Sequence, residues 1–134
     1  MRTVTKVVIA LASVVGVALP AVPASADVST CAIVNPERCV VMQQNSSGNL
    51  RALGSLEDRR GAATVAVVAY LQRWNGSTWI AVEVSPRLEA PGYVLTATRW
   101  YKCAPALYRA RLNWNYANGA QTGVSYTPSA KVKC

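Results

Sequence analysis

Residues 107–116 read Leu-Tyr-Arg-Ala-Arg-Leu-Asn-Trp-Asn-Tyr. Tyr108, Ala110, Leu112, Trp114 and Tyr116 fall on one side of an extended backbone, and Arg109, Arg111, Asn113 and Asn115 on the other. Side chains of a strand alternate between faces, whereas a helix would scatter these five apolar residues round its circumference. The stretch is therefore a strand with one dry and one wet face. Its dry face needs a cover, either another sheet or the rest of the same one.

The same alternation recurs along the chain. Thr64 to Trp74 places Val65, Val67, Ala69 and Leu71 on one face, with Val68 and Tyr70 opposite. Strands apolar on both sides sit centrally in a sheet. Asn75-Gly76 reads as a tight hairpin turn leading into Trp79–Val84, and Asn118-Gly119 as a second one leading into Gln121–Tyr126. Cys39–Gln44, Leu50–Leu56, Tyr93–Cys103 and Ser129–Cys134 are further extended runs. Asp27–Thr30 reads as a loose lead-in, Cys31–Cys39 as a short disulfide loop, and Pro86–Gly92 as a loop. The expected fold is all-β, an immunoglobulin-like antiparallel β-sandwich of seven to eight short strands.

The N-terminus has a different character. Arg2 and Lys6 precede an apolar run from Val7 to Leu19, Pro20 and Pro23 break it, and Ala24-Ser25-Ala26 offers a small-x-small cleavage site. Residues 1–26 are expected to be a cleaved signal peptide that plays no part in the fold. The apolar run is shorter than the about 20 residues a membrane helix needs. Residues 27–134 then form one exported domain, with a disulfide loop and first strands over 27–62 and the sandwich core over 63–134.

The four cysteines are Cys31, Cys39, Cys103 and Cys134. In an exported chain of this length they imply two disulfides, for which three connectivities are possible. Cys31–Cys39 and Cys103–Cys134 are favoured, because Asn35-Pro36-Glu37-Arg38 can turn the first pair together and the second ties a strand end to the terminus. Each would stabilise by roughly 2.5–4 kcal/mol, the longer loop more. A zinc site lacks both histidine and a Cys-x-x-Cys pair here.

Val68-Ala69-Tyr70-Leu71-Gln72-Arg73-Trp74-Asn75-Gly76-Ser77-Thr78-Trp79, then Tyr108-Arg109-Ala110-Arg111, then a last strand ending in Cys134, together resemble a group of small secreted proteins of Gram-positive, actinobacterial-type bacteria. The likeness covers roughly residues 63–134. It implies an immunoglobulin-like sandwich with a late disulfide, and brings no assigned biochemistry with it. The Cys31–Cys39 region departs from that group's pattern, and the antibody-type cysteine pair is missing.

An enzyme is not expected. There is no histidine, the commonest general base. Serine has no Gly-x-Ser-x-Gly elbow, and no phosphate-binding glycine loop occurs. Glu83 on a strand and Glu89 in the following loop are a candidate carboxylate pair for glycosidase chemistry, but nothing around them makes a pocket, and surface charge is the expected role. Neither cofactor nor metal is expected.

Charge and aromatic residues remain. Lys and Arg total 14 and Asp and Glu 6, a net charge of +8, with 4 Trp, 6 Tyr and no Phe. Without Arg2 and Lys6 the charge is about +6, which suits anionic surroundings such as cell-envelope polymers. No basic run exceeds Arg59-Arg60, so no nucleic-acid groove is expected, nor any membrane contact after cleavage. Trp114 reads as core, and Trp74 with Trp79 as a pair across their hairpin or a ligand platform. Arg99-Trp100-Tyr101 is the sharpest candidate, because Trp100 shares its strand face with Thr96 and Thr98, away from Leu95.

Two functions fit a monomeric secreted domain of this kind. One is non-catalytic binding or structural association with polysaccharide through Trp74, Trp79, Trp100, Tyr101 and Arg99. The other is inhibition of a secreted hydrolase, an amylase or a protease. Arg99-Trp100-Tyr101 resembles, in a different order, the Trp-Arg-Tyr triplet of the small streptomycete α-amylase inhibitors. A coplanar row of Trp74, Trp79 and Trp100 would favour the first, and a single protruding loop the second.

Overall fold

In the computed structural model the described residues are 5–10 and 27–134, and they contain eleven strands. They run β1 (Thr5–Ala10), β2 (Asp27–Ala32), β3 (Glu37–Gln44), β4 (Leu50–Glu57), β5 (Thr64–Trp74), β6 (Trp79–Val84), β7 (Leu88–Pro91), β8 (Tyr93–Ala97), β9 (Ala106–Tyr116), β10 (Gln121–Tyr126) and β11 (Ala130–Val132). One sheet has the order β1-β2-β3-β4-β8. The other has the order β10-β9-β5-β6, with β11 on β9 and β7 on β5. All pairings are antiparallel, and the two sheets pack as a sandwich.

The core is what alternation requires. Tyr108, Ala110 and Leu112 of β9 are fully buried beside Val65, Val67, Ala69 and Leu71 of β5. Val40 and Met42 of β3 and Leu50, Ala52 and Leu56 of β4 close over them from the opposite sheet. The sheets approach so closely at Gly54 that a Cβ there would collide with the Leu112 side chain. Tyr108 adds a polar tie, since its hydroxyl donates to Ala104 O at 2.7 Å and accepts from Ala104 N at 3.1 Å.

Both disulfides have the expected connectivity, Cys31–Cys39 and Cys103–Cys134. Cys31–Cys39 does not staple a loop. It joins two directly opposed residues of β2 and β3, with Cα atoms 4.1 Å apart. The strand count exceeds seven to eight because residues 5–10 form β1, the lead-in is β2 and the Pro86–Gly92 loop contains β7. Both are short segments that gain order from pairing at a sheet edge, which local pattern does not report.

Of the leader expected over residues 1–26, only 5–10 are described, and they pair with β2 from Thr5↔Ala32 to Ala10↔Asp27. The full-length chain thus places a β-branched segment on an edge that would otherwise present unpaired backbone groups.

The hairpin loops are longer than two residues. Trp74 pairs with Trp79 across Asn75–Thr78, where Gly76 alone has positive φ and Asn75 Oδ1 accepts from Ser77 N and Thr78 N. Tyr93–Cys103 is a strand only to Ala97, and its faces are reversed from expectation. Val94, Thr96 and Thr98 are buried, while Tyr93 and Leu95 are exposed.

Candidate functional site

Registers decide which wet faces coincide. The pairs Gln72↔Arg109 and Tyr70↔Arg111 join β5 to β9, Arg111↔Tyr126 joins β9 to β10, and Trp74↔Trp79 joins β5 to β6. Residues directly opposed in antiparallel strands share a face. The outer face of the β10-β9-β5-β6 sheet therefore carries Tyr126, Arg109, Arg111, Tyr70, Gln72, Trp74 and Trp79 together.

These side chains form a row across four strands. The Arg109 guanidinium lies between two rings, 4.2 Å from the centroid of Tyr126 and 4.3 Å from that of Trp79. Trp79 in turn meets Trp74, with centroids 5.5 Å apart and planes tilted by 57°. Arg109 Nε donates to Gln72 Oε1 at 2.7 Å, which fixes the guanidinium plane. A second cation, Arg111, stands over Tyr70 at 5.3 Å, its Nε bonded to Asn113 Oδ1. Each such cation–ring contact contributes about 0.5–2 kcal/mol, more as water is excluded.

Burial lowers the Arg109 pKa, Tyr126 opposes that shift, and the neighbouring Arg111 adds to it. Tyr126 is 41 % exposed, and both Trp74 and Trp79 keep part of their surface in water. The result is a continuous, part-exposed surface of tilted aromatic rings interleaved with planar cations. Such a surface can stack rings and bind anions. Among the described residues no group of histidine, cysteine or acidic side chains could hold a metal ion.

Trp100 lies elsewhere. It is 40 % exposed and stacks on Arg51 of β4, 4.4 Å from guanidinium carbon to ring centroid, on the outer face of the opposite sheet. Arg51 Nε is bonded to Gln43 Oε1 across β3 and β4. The expected outward direction of Trp100 is observed, but not for the expected reason. Thr96 and Thr98 mark the buried face, and the chain leaves the strand after Ala97, so alternation does not reach Trp100. Thr98 N and Thr98 Oγ1 instead tie the segment to Ala52, and Tyr101 exchanges two backbone bonds with Leu50.

The sequence candidates therefore separate. The coplanar row of Trp74, Trp79 and Trp100 does not form: Trp74 and Trp79, tilted by 57°, share one surface, while Trp100 with exposed Arg99 belongs to the other sheet. Tyr101 is partly buried: its ring packs against Tyr108 at 6.3 Å, at the margin of the core. Trp114 sits between the sheets, covered by Arg38 at 4.7 Å and by Gly123, where a Cβ would collide with its ring. Its indole N–H is buried without a hydrogen-bond partner among the described residues.

The chain matches no family model, no curated protein and no solved structure. The site has to be read from its own geometry.

Arg109, Arg111, Tyr70 and Tyr126 were not singled out by sequence. The signal available was the wet face of 107–116, which already held both arginines. What sequence lacked was the partner: β5 pairs with β9 across about forty residues, and only that pairing brings Trp79 to Arg109.

A separate polar corner closes one end of the sandwich. Tyr116 Oη donates to Asp58 Oδ1 at 3.2 Å and accepts from Asn35 Nδ2 at 3.1 Å. Asp58 also accepts from Arg60 N and Ala63 N, and these backbone bonds hold its carboxyl below the usual range. Arg59 pairs with Glu37 at 2.8 Å. This network is satisfied internally and joins a loop to β9.

Proposed function

We propose that this chain is a secreted, non-catalytic domain that binds extracellular or cell-wall polysaccharide through the outer face of the β10-β9-β5-β6 sheet. The carrying observation is the row Tyr126–Arg109–Trp79–Trp74, four side chains packed one against the next on a face that water reaches in part. Rings held rigid before binding lose little conformational entropy on contact, which favours stacking on flat apolar sugar faces. Export rests on the leader pattern of residues 1–26, and the two disulfides support an oxidising compartment.

The strand order β10-β9-β5-β6 facing β3-β4-β8, with the hydroxyl of Tyr108 bonded back to Ala104, supports an immunoglobulin-like topology for the scaffold.

Tryptophan fluorescence titration and pull-down on peptidoglycan, chitin and cellulose test the binding. At least one polymer should bind, and Trp79→Ala should weaken binding by about tenfold or more. Failure of all three to bind at low salt would overturn the reading.

The Arg99–Trp100 segment supports a second reading, as an inhibitor of a secreted hydrolase. It is exposed yet anchored on both sides by the Ala52 and Leu50 bonds, the preorganisation a protruding inhibitory loop needs. Complete residual activity in a panel of amylases and serine proteases at micromolar protein would exclude it.

A further inference from the structure

The polymer class can be narrowed from the charge on the platform. Among the described residues, no carboxylate and no hydrogen-bond acceptor meets the terminal nitrogens of Arg109 or Arg111. Among the described residues their side-chain hydrogen bonds engage Nε alone, to Gln72 and to Asn113. The two ion pairs of the described residues, Arg59–Glu37 and Arg87–Glu89, involve neither residue.

Lys131 of β11 is opposed to Leu107 of β9, and so adds a third cation at the Arg109 end of the same face. Glu89 is the one acid whose register, opposite Ala66, puts it on this face. It lies toward the other end of β5 and faces Arg87. Two adjacent guanidinium groups without a counter-charge are therefore held at the level of the aromatic rings. Guanidinium groups present paired N–H donors that match the planar oxygen pairs of carboxylate and also suit phosphate.

Resting on the polysaccharide reading above, we infer that the platform recognises an acidic glycan. Its sugar rings stack on Trp74, Trp79 and Tyr126, while its anionic groups take the free N–H donors of Arg109 and Arg111. The neutral polymers would offer the rings alone.

The test is affinity electrophoresis and titration of the full exported chain with polygalacturonate (carboxylate) and a teichoic acid (phosphate), against neutral cellulose and chitin. At 50 mM salt at least one acidic polymer should bind about tenfold tighter than either neutral one, and the gap should close toward 500 mM as charge is screened. Arg111→Gln and Lys131→Gln, which leave the Arg109 sandwich in place, should each weaken acidic binding by about threefold or more with the fold retained. Trp79→Ala should abolish it.

Equal binding of neutral and acidic polymers, with Trp79 still required, would overturn the acidic preference and leave the platform standing. Acidic binding that survives Trp79→Ala would reduce the effect to net charge and overturn the inference. No binding to any of the four polymers would remove both.

Discussion

Single residues carry distinct loads in this fold. Tyr108 is wholly buried, yet its hydroxyl both donates to and accepts from Ala104. Tyr108→Phe keeps the ring and strands the Ala104 groups, so it should cost about 1–3 kcal/mol in a denaturant titration. Gly123 is required by contact: any side chain would enter the Trp114 ring. Gly123→Ala should destabilise by about 1–3 kcal/mol, accompanied by a shift in tryptophan emission as Trp114 is displaced.

Asp58 sets a pH limit. Its carboxyl is held below 3.8 chiefly by the Ala63 N–H and then by that of Arg60. A carboxylate with a lowered folded pKa stabilises fully above the unfolded value, and that contribution is lost as pH falls through the folded one. The melting temperature should therefore fall below about pH 4. Asp27 acts in the opposite sense, because burial raises its pKa. Comparing wild type with Asp58→Asn isolates Asp58, and the acid-side fall should flatten in the variant.

At the scale of elements, the two disulfides make a quantitative comparison. Cys31 and Cys39 are 8 residues apart, and Cys103 and Cys134 are 31 apart. Loop entropy predicts a loss of about 2.5 kcal/mol for the Cys31→Ser, Cys39→Ser double variant and about 3.7 kcal/mol for Cys103→Ser, Cys134→Ser. Chemical denaturation of the two should preserve that order. A larger loss from the first pair would show that the β2–β3 cross-link acts on the native sheet as well.

Elements were legible wherever alternation was long and turns were chemically marked. β5 and β9 each extend over 11 residues with an uninterrupted dry face, and Asn-Gly follows both within two residues. β2 and β7 were not legible. Leu-Glu-Ala-Pro has no period-two contrast and ends in proline, so only its place on β5 makes it a strand. The faces of β8 were misread because Tyr93 and Leu95, the larger apolar residues, point outward, while Thr96 and Thr98 are buried through hydrogen bonds to Pro86 and Arg99 carbonyls. Half the platform was visible in the Trp74–Asn75-Gly76–Trp79 hairpin, since that contact is local. The other half depends on β5 meeting β9 and on β9 meeting β10, and no local pattern sets which wet faces become neighbours.

For the molecule as a whole, the question is how much of the chain the sandwich needs. Residues 5–10 pair with β2, at the outer edge of the sheet. The two layers of the core are supplied by β2 (through Val28), β3, β4 and β8 against β5, β9 and β11. Removing an edge strand exposes one row of backbone groups to water, which can satisfy them, whereas removing a central strand opens the core. A chain beginning at Asp27 should therefore unfold cooperatively, with both disulfides formed and the near-ultraviolet dichroism of the full-length chain retained. Amide exchange should quicken in β2 and stay slow in β5 and β9, because opening free energy follows burial. A 27–134 chain that is unfolded under these conditions would make the first strand integral to the domain and remove the case for a cleaved leader. If it folds, β2 is a free edge in the 27–134 chain. Cys31, cross-linked to β3 through Cys39, is then what holds that edge in register.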